Sequence, residues 1–298
     1  MPELHTQRPA GEGAAFPCLG AAGAARPGFF AAPPPGEPGL ALFLNAGDPS
    51  LDVLADIVAM LDESGVDCLE LAVPFPASFT DGPTVRRSAK RALGTDLTDV
   101  LGFVEGIQPT LRHLRIALIA DWSYTVRPFG MAEFLRRTHA AGVDGLLLHG
   151  LPATQRAGYY ELAHANEVPV VATCYPDSDP AVQAESARNA TAYLYLVAQY
   201  GRSGTQSTDG FARVSPVLPA LRAHTSAPIA VGFGVRGRAE IDILRDLGAD
   251  AVIIGSAAVA RVEQARNDHR DIVADLAGFI DELRARTGAP PLRGDVRR

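Results

Sequence analysis

The chain has 298 residues, a formal net charge of −7, 47% hydrophobic and 20% charged residues. The acid excess argues against a nucleic-acid partner, because phosphate backbones attract basic faces, and no apolar run reaches the roughly 18 residues that would span a membrane. Cys18, Cys68 and Cys174 form no CxxC pair, and an odd count is no disulfide framework, so they read as reduced thiols of a cytoplasmic protein.

Residues 1–38 hold eight of the 23 prolines, with Pro33, Pro34 and Pro35 in a row, and keep no apolar period. Such a segment buries too little surface to offset its ordering entropy, so a flexible or loosely docked extension is expected. Proline and glycine also interrupt the compact apolar stretch that a secretory signal needs.

From Leu40 short β-rich runs alternate with amphipathic stretches, eight times over. The first four strand candidates are LALFLNA (40–46), DCLELAV (67–73), RIALIA (115–120) and DGLLLHG (144–150). The others are VPVVATC (168–174), AYLYLVA (192–198), PIAVGF (228–233) and DAVIIG (250–255). They are almost continuously apolar, as strands covered on both faces must be. Cys68 and Cys174 fall within two of them, where a small buried hydrophobe is the plain reading. Four intervening helices end in SGVD, AGVD, ANEVP and LGAD, where glycine or asparagine is expected to supply a left-handed cap. Eight such units give a closed barrel or a doubly wound sheet. The first strand runs into NAGDPS, which lacks a dinucleotide-binding glycine fingerprint. The expected fold is therefore α/β, a single (β/α)8 TIM barrel over residues 39–288, with 289–298 as a C-terminal tail.

In such a barrel the chemistry sits on the loops that follow the strands. Gly232-Phe233-Gly234 ends strand seven, Gly255-Ser256 opens a helix after strand eight, and Ser203-Gly204 lies after strand six. Each alone is an ordinary turn, but their convergence on neighbouring strands predicts a phosphate site. Arg202, Arg236 and Arg238 lie nearby, and exposed, salt-bridged arginine is their plain reading.

Glu70 stands inside the second strand, in LELAV. A barrel has no edge on which to solvate it, and burying an unpaired carboxylate costs several kcal/mol, so a proton-transfer role is the stronger reading over a structural ion pair. Asp81, in TDGP, is equally a helix cap and a second acid. Lys90 is the only lysine and falls in a solvated helical stretch, which argues against Schiff-base and pyridoxal chemistry. Of the seven histidines only His149 ends a strand, which argues against a metal site. Metal-free general acid–base chemistry on a phosphorylated substrate is what remains.

The segments Phe43-Leu44-Asn45-Ala46-Gly47-Asp48-Pro49 and Leu69-Glu70-Leu71-Ala72-Val73-Pro74-Phe75, with Asp81-Gly82-Pro83 and the three phosphate loops, resemble the α subunit of tryptophan synthase over residues 40–261. The resemblance implies a cofactor-free indole-3-glycerol phosphate lyase that yields indole and glyceraldehyde 3-phosphate. It implies that Glu70 protonates the indole and takes the side-chain hydroxyl proton, that Asp81 receives the indole N–H, and that Tyr195 orients Glu70. Phe43 and Trp122 would wall the indole pocket, while Ser203, Gly204, Phe233, Gly234, Gly255 and Ser256 would bind the substrate around its phosphate. A tryptophan synthase β subunit is the implied partner. This sequence departs from the pattern where Pro76-Ala77-Ser78 follows Val-Pro-Phe, and where Gln199, Gly150 and Trp122 replace an arginine, an aspartate and a tyrosine. The altered residues are ones that would couple α to β, which raises release of indole without a partner, or use in a specialised pathway. Another phosphate-binding barrel enzyme, or a non-catalytic α-like activating subunit, stays open as an alternative.

Overall fold

A computed structural model describes residues 28–30, 36–76, 78, 80–198 and 211–285. The chain alternates strand and helix, beginning with β1 (Gly39–Asn45), α1 (Leu51–Glu63) and β2 (Cys68–Ala72). There follow α2 (Pro83–Ala92), α3 (Leu97–Ile107), β3 (Arg115–Asp121), a π-helical turn (Trp122–Val126), α4 (Arg127–Phe129) and α5 (Met131–Ala140). The middle of the chain gives β4 (Gly145–His149), α6 (Arg156–Ala165), β5 (Val171–Cys174), α7 (Pro180–Asn189) and β6 (Tyr193–Val197). The last part adds α8 (Val217–Arg222), β7 (Ile229–Gly232), α9 (Arg238–Asp246), β8 (Ala251–Ile254), α10 (Ser256–Asn267) and α11 (Ile272–Arg284).

All neighbouring strands run parallel in the order β4-β3-β2-β1-β8-β7-β6-β5, and a single bridge between Leu146 and Val170 closes the ring. Each expected strand is present. The fifth is shortened to start at Val171, because Pro169 has no N–H to give a ladder and only its carbonyl is used, by Leu146 N–H at 2.8 Å.

Strand parity divides the apolar residues into two layers. Leu42, Leu44, Leu69, Leu71, Ile116 and Leu118 point outward beneath the helices. Ala41, Cys68, Ala117, Ala230 and Ala251 point inward and leave the barrel centre open to larger side chains from β6.

Four helix ends share one local device. Val66, Val143, Val168 and Ala249 each donate an N–H to the carbonyl five residues back, and the residue before each has a positive φ. That residue is Gly65, Gly142 and Gly248 in three cases, but in ANEVP it is Glu167 (φ 54°) and not Asn166 (φ −100°). At the foot of every second strand, β2, β4, β6 and β8, a side chain reaches back to the strand before it. Asp67 accepts from Leu40 N–H at 2.8 Å, Asp144 from Ile116 N–H at 2.9 Å, Asp250 from Ile229 N–H at 2.6 Å, and Thr191 Oγ1 from Val170 N–H at 2.8 Å.

Two phenylalanines from the expected extension close the floor of the barrel. Phe29 and Phe30 lie 5.2 and 5.4 Å from the ring of Tyr193, and Phe30 is buried over Gly39. Glu37 is paired with Arg238, which is itself buried rather than exposed. Phe29 and Phe30 therefore dock on the barrel, for the physical reason that the alanine-lined interior leaves a void that aromatic rings fill. Residues 1–27 and 286–298 lie outside the described residues. Phe30→Ala is expected to lower the unfolding free energy by about 3–5 kcal/mol, the range for emptying a buried phenylalanine site, as measured by denaturant melts.

Candidate active site

A cavity of about 350 Å³ opens at the carboxyl ends of the strands. Its wall follows from parity: Phe43 and Asn45 of β1, Glu70 and Ala72 of β2, Ile119 of β3, Leu147 and His149 of β4 all face inward. From the far side come Tyr195 and Val197 of β6, then Phe233 and Gly234 after β7, and Gly255 and Ser256 after β8.

Glu70 is 1% exposed and accepts a 2.6 Å hydrogen bond from the Tyr193 hydroxyl. Burial pushes its carboxyl from the ordinary 4.5 up to about 7, and the Tyr193 hydrogen bond pulls the other way. Tyr195 was expected to orient this group. The hydrogen bond comes instead from Tyr193, two residues earlier and one layer deeper, where the small residues of β1, β3, β7 and β8 let the phenol cross the barrel. Tyr195 lines the cavity above it, with its hydroxyl so close over Gly232 that a Cβ there would lie 2.5 Å away.

Asp81 does not cap α2. Gly82 takes that position with Pro83 at the first turn, and Asp81 faces the cavity. Burial raises its pKa, while the Ser78 hydroxyl, His149 and Arg86 draw it back down. Arg86 also donates to the Ser78 carbonyl at 2.6 Å through Nη2, which fixes the loop after β2 to the helix that follows it.

Phe43, Phe233, Gly234, Gly255 and Ser256 all border the cavity. Phe233 and Gly234 both have left-handed backbones (φ 69° and 89°), a strained state for phenylalanine that turns the loop's backbone toward the opening. Gly255 caps α10 without a side chain, so the first-turn N–H groups of that helix are open to an anion at the cavity edge. Ser203 and Gly204 lie outside the described residues.

Trp122 is not in the cavity wall. Asp121 takes the last inward position of β3, so the next side chain points the other way, and Trp122 packs on the outer layer. The aromatic wall on this side is Phe75, flanked by Tyr124 at 5.9 Å and by His149 at 5.5 Å. Sequence reading also passed over Tyr193, Asp121, Ser78 and Thr80. Counting inward parity back from each strand's end would have marked Asp121 and His149, whereas the reach of Tyr193 across the barrel has no local signal.

Among the described residues no three His, Cys, Asp or Glu side chains cluster as metal ligands, and no helix is long and apolar enough to cross a membrane. Lys90 is exposed on α2.

Residues 30–287 match the family model described as tryptophan synthase alpha chain. The chain belongs to that family. The tryptophan synthase alpha chain of Leptothrix cholodnii is 32% identical over 252 residues, covering 84% of this chain and 91% of that protein. The one from Rippkaea orientalis is 37% identical over 227 residues, covering 74% and 83%. In three dimensions the tryptophan synthase A-subunit of Pyrococcus furiosus is similar with a TM-score of 0.73 at 26% identity, over 83% of this chain and 98% of that one. Against these alpha chains the (β/α)8 fold is the shared one, and Glu70 occupies its buried centre.

The raised pKa of Glu70 has a consequence for stability. A carboxyl whose folded pKa exceeds its unfolded value stabilises the fold fully below about pH 4.5 and loses that contribution as pH rises to about 7. The loss is about 3 kcal/mol, at 1.36 kcal/mol per pKa unit. Glu70→Gln removes it, so between pH 4.5 and pH 8 the stability gap should move in favour of the variant by that amount in denaturant melts.

Proposed function

We propose that this tryptophan synthase alpha chain relative cleaves indole-3-glycerol phosphate by cofactor-free acid–base catalysis, with Glu70 as the proton carrier. The observation that carries this reading is a fully buried carboxyl, tuned to about pH 7, in one cavity with a second acid and with open backbone N–H groups. Near neutrality such a group gives and takes a proton with comparable ease.

Glu70 donates its proton to C3 of the indole, making an indolenium whose positive charge is centred on the ring nitrogen. Asp81 accepts the ring N–H and stabilises that charge, an electrostatic contribution that the dry cavity strengthens. The Glu70 carboxylate then takes the hydroxyl proton from the carbon bonded to C3. The O–H electrons form the aldehyde C=O, the C–C bond breaks, and its electron pair restores the indole ring. The phosphate lies against Gly234, Gly255 and Ser256, where the α10 dipole favours negative charge. Phe43 and Phe75 cover the faces of the ring.

Purified protein mixed with indole-3-glycerol phosphate should release indole and glyceraldehyde 3-phosphate in equal amounts by chromatography. Glu70→Gln should slow this by roughly 10²–10⁴-fold, the usual worth of a general acid–base group. A variant with undiminished turnover would make Glu70 structural, and a parent protein that releases no indole would leave a non-catalytic activating role or another barrel reaction.

A structurally similar Pyrococcus furiosus chain belongs to a tryptophan synthase complex. For this chain the reading is turnover without a β subunit, supported by Pro76-Ala77-Ser78 in the loop after β2 and by Arg86, which holds that loop from the chain's own α2. Adding a β subunit should leave indole release within about twofold, and a stimulation of roughly tenfold, on the order of 1.4 kcal/mol of barrier, would overturn this reading.

A further inference from the structure

His149 and Asp121 are register partners on β4 and β3, both in the last inward position before the cavity. Asp121 is buried, and its two oxygens do different work. Oδ1 accepts from Ser123 N–H and Tyr124 N–H and starts the π-helical turn, while Oδ2 lies 3.0 Å from His149 Nδ1. Gly150 leaves room for this pairing: with φ 70°, a Cβ there would sit 3.1 Å from Asp121 Oδ2.

A carboxylate on Nδ1 fixes the proton there, so Nε2 is the nitrogen that faces the loop after β2. Nε2 lies 3.1 Å from Thr80 Oγ1, Thr80 Oγ1 lies 3.3 Å from Ser78 Oγ, and Ser78 Oγ accepts Asp81 N–H at 3.2 Å. The Ser78 hydroxyl in turn donates to the Asp81 carboxylate. Five side chains on three segments thus form one hydrogen-bonded string.

The string has a direction. When the imidazole is charged, Nε2–H donates to Thr80, Thr80 donates to Ser78, and Ser78 donates to Asp81. Every donor then points toward the carboxylate, and each bond polarises the next. When the imidazole is neutral, Thr80 turns back to donate to Nε2, and only Ser78 still serves Asp81.

We propose that Asp121 and His149 are positioning residues, which act through Thr80 and Ser78 to hold the Asp81 carboxylate, in its charged form, at the aromatic end of the cavity. The inference rests on the reading of Asp81 as the acceptor of the indole N–H. The other groups that face Asp81 are Arg86 of α2 and the phenol of Tyr195 on β6, and His149 is faced by Asp121, Thr80 and the Phe75 ring.

The test is indole release from indole-3-glycerol phosphate, measured from pH 5 to pH 9 for His149→Gln, Thr80→Val, Thr80→Ser and Asp81→Asn. Removing His149 takes away a group that lowers the Asp81 pKa, so the acid limb of kcat/KM moves to higher pH. In His149→Gln and Thr80→Val we expect kcat to fall about tenfold, within the range for misplacing a catalytic group, while KM changes little. Thr80→Ser keeps the hydroxyl and should recover most of what Thr80→Val loses. The proposal is overturned if Thr80→Val and His149→Gln melt like the parent and keep its kcat and its acid limb, or if their effect is confined to KM. It is equally overturned if Thr80→Ser loses as much as Thr80→Val. Asp81→Asn separates the two claims, because full activity there removes the Asp81 reading itself.

Discussion

The hydrogen bond from Tyr193 to Glu70 sets the terms for the rest of the molecule. A carboxyl on the axis of a barrel is desolvated from every side, and only a neutral donor already inside can meet it without adding charge. That donor must come from a strand across the barrel, so β1, β3, β7 and β8 present alanine at the level it crosses, and the phenylalanines at the floor fill the space left below. Removing water from beneath and supplying one phenol from the side leaves burial dominant, and the carboxyl titrates close to neutrality.

The two acids of the cavity are separated in function by their surroundings. Glu70 has one hydrogen-bond donor and a nonpolar shell, whereas Asp81 lies within reach of a hydroxyl, an imidazole and a guanidinium that all favour its charged form. Burial raises both carboxyls, but three groups oppose it at Asp81 and only one donor does at Glu70, which is the asymmetry that the proposed roles of proton carrier and anion use. In the proposed scheme the backbone at Gly234 and the open turn of α10 provide donors for the phosphate.

Much of this was legible in the sequence because barrels write their strands as apolar runs and their helix ends as glycine. Glu70 stood out since a charge in such a run has nowhere to be solvated. What escaped reading depends on geometry finer than composition. Trp122 and Asp121 are adjacent, yet one step along a strand reverses the face, so an aromatic residue placed by resemblance fell outside the cavity. Tyr193 and Tyr195 share a face and differ only in depth, which only the cross-barrel packing decides. The string from Asp121 to Asp81 joins residues 40 positions apart in the chain through His149, a residue that sequence weighs only as a metal ligand. Phe30 belongs to a proline-rich stretch whose composition predicts exposure, and the void at the barrel floor overrides it.

The back-reaching side chains at Asp67, Asp144, Thr191 and Asp250 fall on every second strand, and each ties an even-numbered strand to the odd-numbered one before it. The ring is thus fastened as four consecutive two-strand modules, and across the seam from β2 to β3 the side chain of Asp62 on α1 accepts from Arg112, His113 and Leu114 N–H. A chain break at a seam keeps both partners of each of these four hydrogen bonds on one continuous segment, whereas a break within a module leaves one pair joined only through the fold. The weakest seam, between β4 and β5, is spanned by one bridge, and it divides the molecule into halves of two modules each. The half before it supplies Glu70 and Asp81, and the half after it supplies Tyr193 and the glycine turns, so neither half assembles the chemistry without the other.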